Sequence, residues 1–178
     1  MEDHHQIIIS GFGGQGILSA GKMLAYGGMI EDKYVSWVPS YGPEMRGGTA
    51  NCHVIVSKEL IASPILSKVT ALIVMNEPSL EKFESYVNQN GLIILDNSII
   101  NKFSVRKDID VVAIPATQLA NEMGNVAFAN IILLGKLIHK TNLISKETII
   151  ESFKSILPEK KHHLIPMEIN ALELGMKF

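Results

Sequence analysis

The apolar positions of this chain fall into short continuous runs, separated by longer stretches with helical spacing. Ile7-Ile8-Ile9 leads a buried strand predicted over 7–12. A helix is predicted over 14–30, with Ile17, Gly21, Leu24 and Gly28 on one stripe and Leu18, Ala25 and Met29 beside it. Residues 33–38 read as a second strand and 39–48 as a loop. In 49–57, Ala50, Cys52, Val54 and Val56 alternate with Thr49, Asn51 and His53, the pattern of a half-buried strand. Short apolar runs at 71–75, 92–95 and 111–114 predict further buried strands.

Helices fill the remainder. One starts at Pro78, a tolerated first-turn position, and runs to about Val87. Others are predicted over 117–123 and 127–139, the second very apolar. Ser145 is a good N-cap for a helix to Leu157, although Thr148 rather than Glu leaves the capping box incomplete. Residues 158–163 read as a polar linker before a last helix over about 166–175, which packs on the body or on a partner. Buried strands alternating with helices predict an α/β fold, a three-layer α/β/α sandwich with a mostly parallel sheet. Two strands within 33–57 lack a helix between them, so the sheet is expected to be mixed.

Composition narrows the function classes. The 178 residues, 47% of them hydrophobic, suffice for one domain spanning 1–178 with a sizeable core. A net charge of −2 and an aromatic content of 6% offer no bulk attraction to nucleic acid and few stacking surfaces. The single cysteine, Cys52, excludes an internal disulfide and any Cys-only metal or iron–sulfur site. The polar start, Met1 to His5, does not read as a signal peptide, and Val126 to Gly135 is too short to span a bilayer. The expectation is a cytoplasmic protein.

The most conspicuous local signal is Gly11-Phe12-Gly13-Gly14-Gln15-Gly16, between the first strand and the first helix. Gly11, Gly13 and Gly16 have the G-x-G-x-x-G spacing of a dinucleotide turn. A nicotinamide site also wants a carboxylate at the end of the second strand. That strand ends Trp37-Val38-Pro39-Ser40, while Glu31 and Asp32 precede it and so lie at its opposite end. A stand-alone NAD(P) enzyme therefore remains only as an alternative. Gly16 to Lys22 mimics P-loop spacing, but Met23 replaces the Mg²⁺-binding Ser or Thr and the span reads as helix.

A second stretch, Ser40-Tyr41-Gly42-Pro43-Glu44-Met45-Arg46-Gly47-Gly48, carries a Glu and an Arg between glycines. Either it is a solvated hairpin with an internal Glu44–Arg46 pair, or Arg46 offers its planar fork to a phosphate or carboxylate. Together, GFGGQG and SYGPEMRGGTANC resemble the gamma subunit of the 2-oxoacid:ferredoxin (acceptor) oxidoreductases. Met75-Asn76-Glu77-Pro78-Ser79, Asn130 to Gly135, and Asn170-Ala171 with Gly175 agree, so the resemblance spans essentially the whole chain. Met45-Arg46-Gly47-Gly48-Thr49-Ala50-Asn51-Cys52 is more similar to the 2-oxoglutarate type than to the pyruvate type.

The resemblance implies a fold similar to the gamma domain of pyruvate:ferredoxin oxidoreductase. It also implies a complex that decarboxylates a 2-oxoacid on thiamine diphosphate and Mg, passes electrons through iron–sulfur clusters to ferredoxin, and releases an acyl-CoA. This chain has no thiamine diphosphate motif and no cluster ligands, so those cofactors are expected on partner alpha, beta and delta subunits. Its own candidates for ligand or interface contact are Gly11, Gly13, Gly14, Gln15, Gly16, Tyr41, Gly42, Glu44, Arg46, Gly47, Gly48 and Asn76. Arg46 would meet a CoA phosphate or an inter-subunit carboxylate, with Glu44 positioning it. A purely structural scaffold subunit is the further alternative. Asn76 either marks the ligand edge of a strand or caps the helix at Pro78. The His4-His5 and His162-His163 pairs lack the i, i+4 spacing of a zinc pair and read as solvated; Cys52 reads as a small buried hydrophobe.

Overall fold

The computed structural model describes residues 4–40, 49–102 and 104–178. Six strands form one sheet, in the spatial order β2-β3-β1-β4-β5-β6. They are β1 His4–Gly11, β2 Tyr34–Ser40, β3 Ala50–Ser57, β4 Val69–Val74, β5 Val87–Asp96 and β6 Asp110–Ile114. β1, β4, β5 and β6 are parallel, whereas β3 runs antiparallel to both β1 and β2. The sheet is therefore mixed, as the missing helix between β2 and β3 predicts. The helices are α1 Ile17–Ile30, α2 Glu77–Phe83, α3 Ala116–Glu122, α4 Ala129–Thr141, α5 Lys146–Ile156 and α6 Ile165–Lys177.

The two faces of the sheet are covered unequally. On the first face, Ile7, Ile9, Cys52, Val54, Ala71, Ile73 and Ile94 pack against α1, α4, α5 and α3. On the second, Ile8, Ile55, Leu72, Val74, Ile93 and Leu95 meet α2, Tyr86, Val87, Ile100, Ile109 and the connection after β3, which contributes Leu66. β3 is buried on both faces, with Cys52 and Val54 under the first layer and Ile55 under the second. The half-buried pattern expected for it fails because β3 is an interior strand, inserted between β2 and β1. His4 and His5 are likewise not solvated tails. They extend β1 opposite Ser57 and Val56, and His4 Nδ1 lies 2.9 Å from Ser57 Oγ.

The small residues of α1 are explained within the chain. A Cβ at Gly21 would strike Cys52 and Trp37, and one at Gly28 would meet Val35 Cγ2 at 2.8 Å. α6 lies across α4 by the same device. A Cβ on Gly135 would collide with the Leu172 carbonyl, and one on Gly175 with the Ile132 carbonyl. The two contacts are reciprocal, which gives an antiparallel helix pair at backbone contact. Caps close several helices. Ser145 accepts from the Thr148 N–H at 3.2 Å, as its position predicts. Residues 158–163, read as a linker, include the start of a 3-10 helix, Glu159–Leu164, where His162 Nε2 sits 3.0 Å from the Leu157 carbonyl.

Glu31, beyond the C-terminus of α1, joins that helix to α5. It accepts from the Ser145 N–H at 2.7 Å and from Lys33 Nζ at 2.7 Å, and Lys33 also donates to the Leu143 carbonyl. Partial burial opposes the Glu31 charge, but Lys33, the Ser145 N–H and Thr148 together hold its pKa down at about 2.

Candidate functional site

Parallel strands send their carboxyl ends to one edge of the sheet, where α/β folds place ligands and contacts. Both informative stretches of sequence converge there. Gly11, at the end of β1, pairs with Ala50, while Ser10 and Ser40 both pair with Asn51. The glycine turn and the two ends of the β2–β3 connection are therefore neighbours. Tyr41, Gly42, Glu44, Arg46, Gly47 and Gly48 lie outside the described residues.

The glycine turn is held from within the chain. Gln15 Oε1 accepts from the Phe12 N–H at 2.5 Å, and Gln15 Nε2 donates to the Met75 carbonyl at 3.2 Å. This side chain bridges the turn to the end of β4. Gly16 has φ 74°, the left-handed region that favours glycine. Its carbonyl accepts from Asn130 Nδ2 at 2.9 Å, and a Cβ there would strike the same amide. At Gly11 a Cβ would meet Ile17 Cδ1 at 2.9 Å and Met75 Cβ at 3.0 Å, besides Gln15. Gly13 and Gly14 differ: they are exposed, and Gly14, at φ 91°, has nothing within 4 Å of its Cβ position. The turn thus has a welded base and a free tip, with Phe12 exposed beside it.

At the end of β4, Asn76 is fully buried and takes both positions that its sequence context allows. It follows the strand's carboxyl end, and its Oδ1 caps α2 by accepting from the Ser79 N–H at 2.9 Å. Asn76 Nδ2 has no hydrogen-bond partner among the described residues. Ser10, also buried, donates to Ser79 Oγ at 2.8 Å and tightens the junction of β1 with α2. At the end of β5, buried Asp96 accepts from the Thr117 N–H at 3.0 Å and from Thr117 Oγ1 at 2.5 Å, which commits it to holding α3. Sequence reasoning passed over Ser10, Ser79 and Asp96 as site residues. An Asn in the most apolar helix was the one available signal for Asn130.

Burial pushes the Cys52 thiol up to about 12, against a smaller opposing pull from the Trp37 indole, so no nucleophile is available there. Among the described residues, no cluster of three His, Cys, Asp or Glu could hold a metal ion. No described helix is long and apolar enough to cross a membrane. The end of β2 offers no carboxylate among the described residues, and Glu31 is spent at the other end of the sheet on Ser145 and Lys33. Lys22, the P-loop mimic, lies in α1 with Nζ 5.0 Å from the centre of the Trp37 ring.

Residues 6–178 match the family "Pyruvate ferredoxin/flavodoxin oxidoreductase". The chain belongs to that family. Within the pyruvate ferredoxin/flavodoxin oxidoreductase family its likeness is to gamma-type subunits. It is 32% identical to the 2-oxoglutarate synthase subunit KorC of Methanocaldococcus jannaschii, covering 86% of this chain and 84% of that one. It is 35% identical to the ketoisovalerate oxidoreductase subunit VorA of Methanothermobacter thermautotrophicus over 97% of its own length. The chain spans only 36% of that VorA protein, so there the same domain is joined to a longer polypeptide. The crystal structure of a keto/oxoacid ferredoxin oxidoreductase gamma subunit from Geobacter sulfurreducens superposes with a TM-score of 0.86 at 26% identity, over 98% of this chain and 95% of that one. The gamma-subunit fold expected from the two motifs is the fold observed.

Proposed function

We propose that residues 1–178 act as one gamma domain in a cytoplasmic 2-oxoacid:ferredoxin oxidoreductase, with 2-oxoglutarate as the 2-oxoacid. The observation that carries this reading is the end-to-end likeness to KorC, in which each chain covers more than four-fifths of the other. The complex converts the 2-oxoacid and CoA to an acyl-CoA and CO₂, and passes two electrons through iron–sulfur clusters to ferredoxin. Thiamine diphosphate, Mg and the clusters sit on alpha, beta and delta partners. The chemistry of this chain supports that division, because its one thiol is buried and protonated.

The contribution of this chain is made at the carboxyl edge. Gln15 and Asn130 fix the base of the glycine turn and leave Gly13 and Gly14 free for close backbone approach. Arg46, in the connection that leaves the same edge at Ser40, supplies the charge for a CoA phosphate or a partner carboxylate. A second reading has ketoisovalerate as substrate and is favoured by the 35% identity to VorA.

The test is co-expression with the thiamine diphosphate and cluster subunits, then 2-oxoacid- and CoA-dependent viologen reduction by the purified complex. A preference for 2-oxoglutarate over ketoisovalerate and pyruvate is expected, and the reverse preference overturns the substrate assignment. Arg46→Ala is expected to weaken assembly or raise the KM for CoA. If both are unchanged, Arg46 has no such role. Quenching of NADH fluorescence by the isolated chain would favour the NAD(P) alternative. Tolerance of every substitution in 41–48 without kinetic effect would favour a pure scaffold.

A further inference from the structure

β2 contributes Val35 and Trp37 to the first core and no residue to the second. By strand alternation its second face carries Tyr34, Ser36, Val38 and Ser40. A cleft of about 220 Å³ opens there, floored by Val38, Asn51 and His53 and walled by Pro64 and Ile65. The wall belongs to the connection after β3, which turns Ile61 and Leu66 inward onto the second core. Its other apolar residues face outward: Leu60 is 77% exposed and Ile65 82%. Scattered exposed hydrophobes are ordinary, but an apolar wall against an uncovered sheet face is a contiguous patch. Among the described residues, the cleft lining contains no Asp, Glu, Lys or Arg. Among the described lining residues the titratable group is His53, which burial and then the Lys82 charge hold below the usual histidine range.

The occupant follows from the length of the relatives. The VorA protein carries this whole domain in 36% of its chain, so about two-thirds of that polypeptide is further protein tethered to the same domain. Tethering puts a second folded body at high local concentration beside this one. Among the described residues, the surface that lacks a helical layer and lacks charge is the one suited to receive it. The first face also has a cleft at β2, between α1, Trp37 and Ile156, but its lining carries the Lys22 charge.

We propose that the second face of the sheet at β2 and β3, bounded by Val38, His53 and Ile65, is the docking surface for the subunit that corresponds to the remainder of the VorA polypeptide. Its contact surface is apolar and uncharged, and it covers the cleft while passing beside the carboxyl edge. This rests on the reading of the chain as one subunit of an oxidoreductase complex.

The test uses the full chain co-expressed with its partner subunits. A photo-crosslinking amino acid replacing Ile65 is expected to capture the subunit homologous to the rest of VorA, and the same probe at exposed Met29, beside the first face, is not. Ile65→Asp, and separately Val38→Asp, are expected to weaken assembly at least tenfold, with Met29→Asp within twofold of wild type. Ile65→Asp is the decisive variant, because a side chain this exposed leaves the fold intact. Assembly within twofold of wild type for Ile65→Asp, or capture at Met29 but not at 65, overturns the docking surface and leaves the subunit assignment standing. Capture of a second copy of this chain overturns the occupant. Failure of the wild-type chain to join any 2-oxoacid oxidoreductase subunit overturns the assignment and this inference together.

Discussion

The two faces of the sheet are built from alternate residues of the same strands, yet they are finished differently. The first is closed by tightly packed helices: a methyl group at Gly21 or Gly28 would strike side chains of β2 and β3, and one at Gly135 or Gly175 would strike the backbone of the facing helix. Among the described residues, the second is closed over β1, β4 and β5 by one short helix and a loop, and is left open over β2. Tight packing leaves no room to adapt, whereas an open apolar face can accept a new surface at little cost to the fold. The layer that holds the chain together and the surface offered to another body are thus separated by the thickness of one sheet.

Substitutions that probe this contrast should differ widely in effect. Gly175→Ala forces a methyl group into the Ile132 carbonyl and should destabilise by about 3 kcal/mol. Urea denaturation checks this, and a loss below about 1 kcal/mol would show that α6 can slide away from α4. Next comes Glu168, on the inner side of α6. Burial raises its pKa to about 7 against the opposing Lys161 charge, and its Oε2 has no partner. The unfolded chain releases this proton near pH 4.5 and the folded chain only near 7, so stability should fall between those pH values, by about 2 kcal/mol. Glu168→Gln should flatten that slope in a pH series of denaturation midpoints; an unchanged slope would assign it to another group.

Asn130→Ala removes the donor to the Gly16 carbonyl and should cost about 1–2 kcal/mol. Hydrogen exchange at the glycine turn should rise with it, and unchanged protection would mean that Gln15 holds the turn alone. Glu31 has the opposite sign to Glu168. Its folded pKa, about 2, lies below the unfolded 4.5, so its contribution is complete above pH 4.5 and is lost as the pH falls toward 2. Because the group is partly solvated, Glu31→Gln should cost only about 1 kcal/mol at pH 7, and wild type and variant should converge near pH 2. The smallest effect belongs to the open face. Ile65→Ser should change stability by less than about 0.5 kcal/mol, and a larger loss would mean that the wall of the cleft is part of the core.

Legibility in the sequence tracked the range of the interactions involved. The Ser145 cap was readable because a cap joins residues three apart. The place of His4 and His5 was not, because only pairing with Val56 and Ser57 makes them strand. The burial of β3 on both sides was hidden for the same reason. In the site, the glycine spacing and Gln15 stood out as local signals. The partners that fix them, Met75 and Asn130, lie 60 and 114 residues away from Gln15 and Gly16.

By itself, then, the sequence determined the order of strands and helices, the mixed sheet and the likeness to gamma subunits, since hydrophobic period, caps and motifs are carried by neighbouring residues. Only the tertiary structure decided that β3 lies between β2 and β1, that the glycine turn and the ends of the 41–48 connection share one edge, and that β2 adds nothing to the second core among the described residues. Those facts depend on which strands pair and which helices cover them. Such contacts join distant parts of the chain, and no local pattern records them.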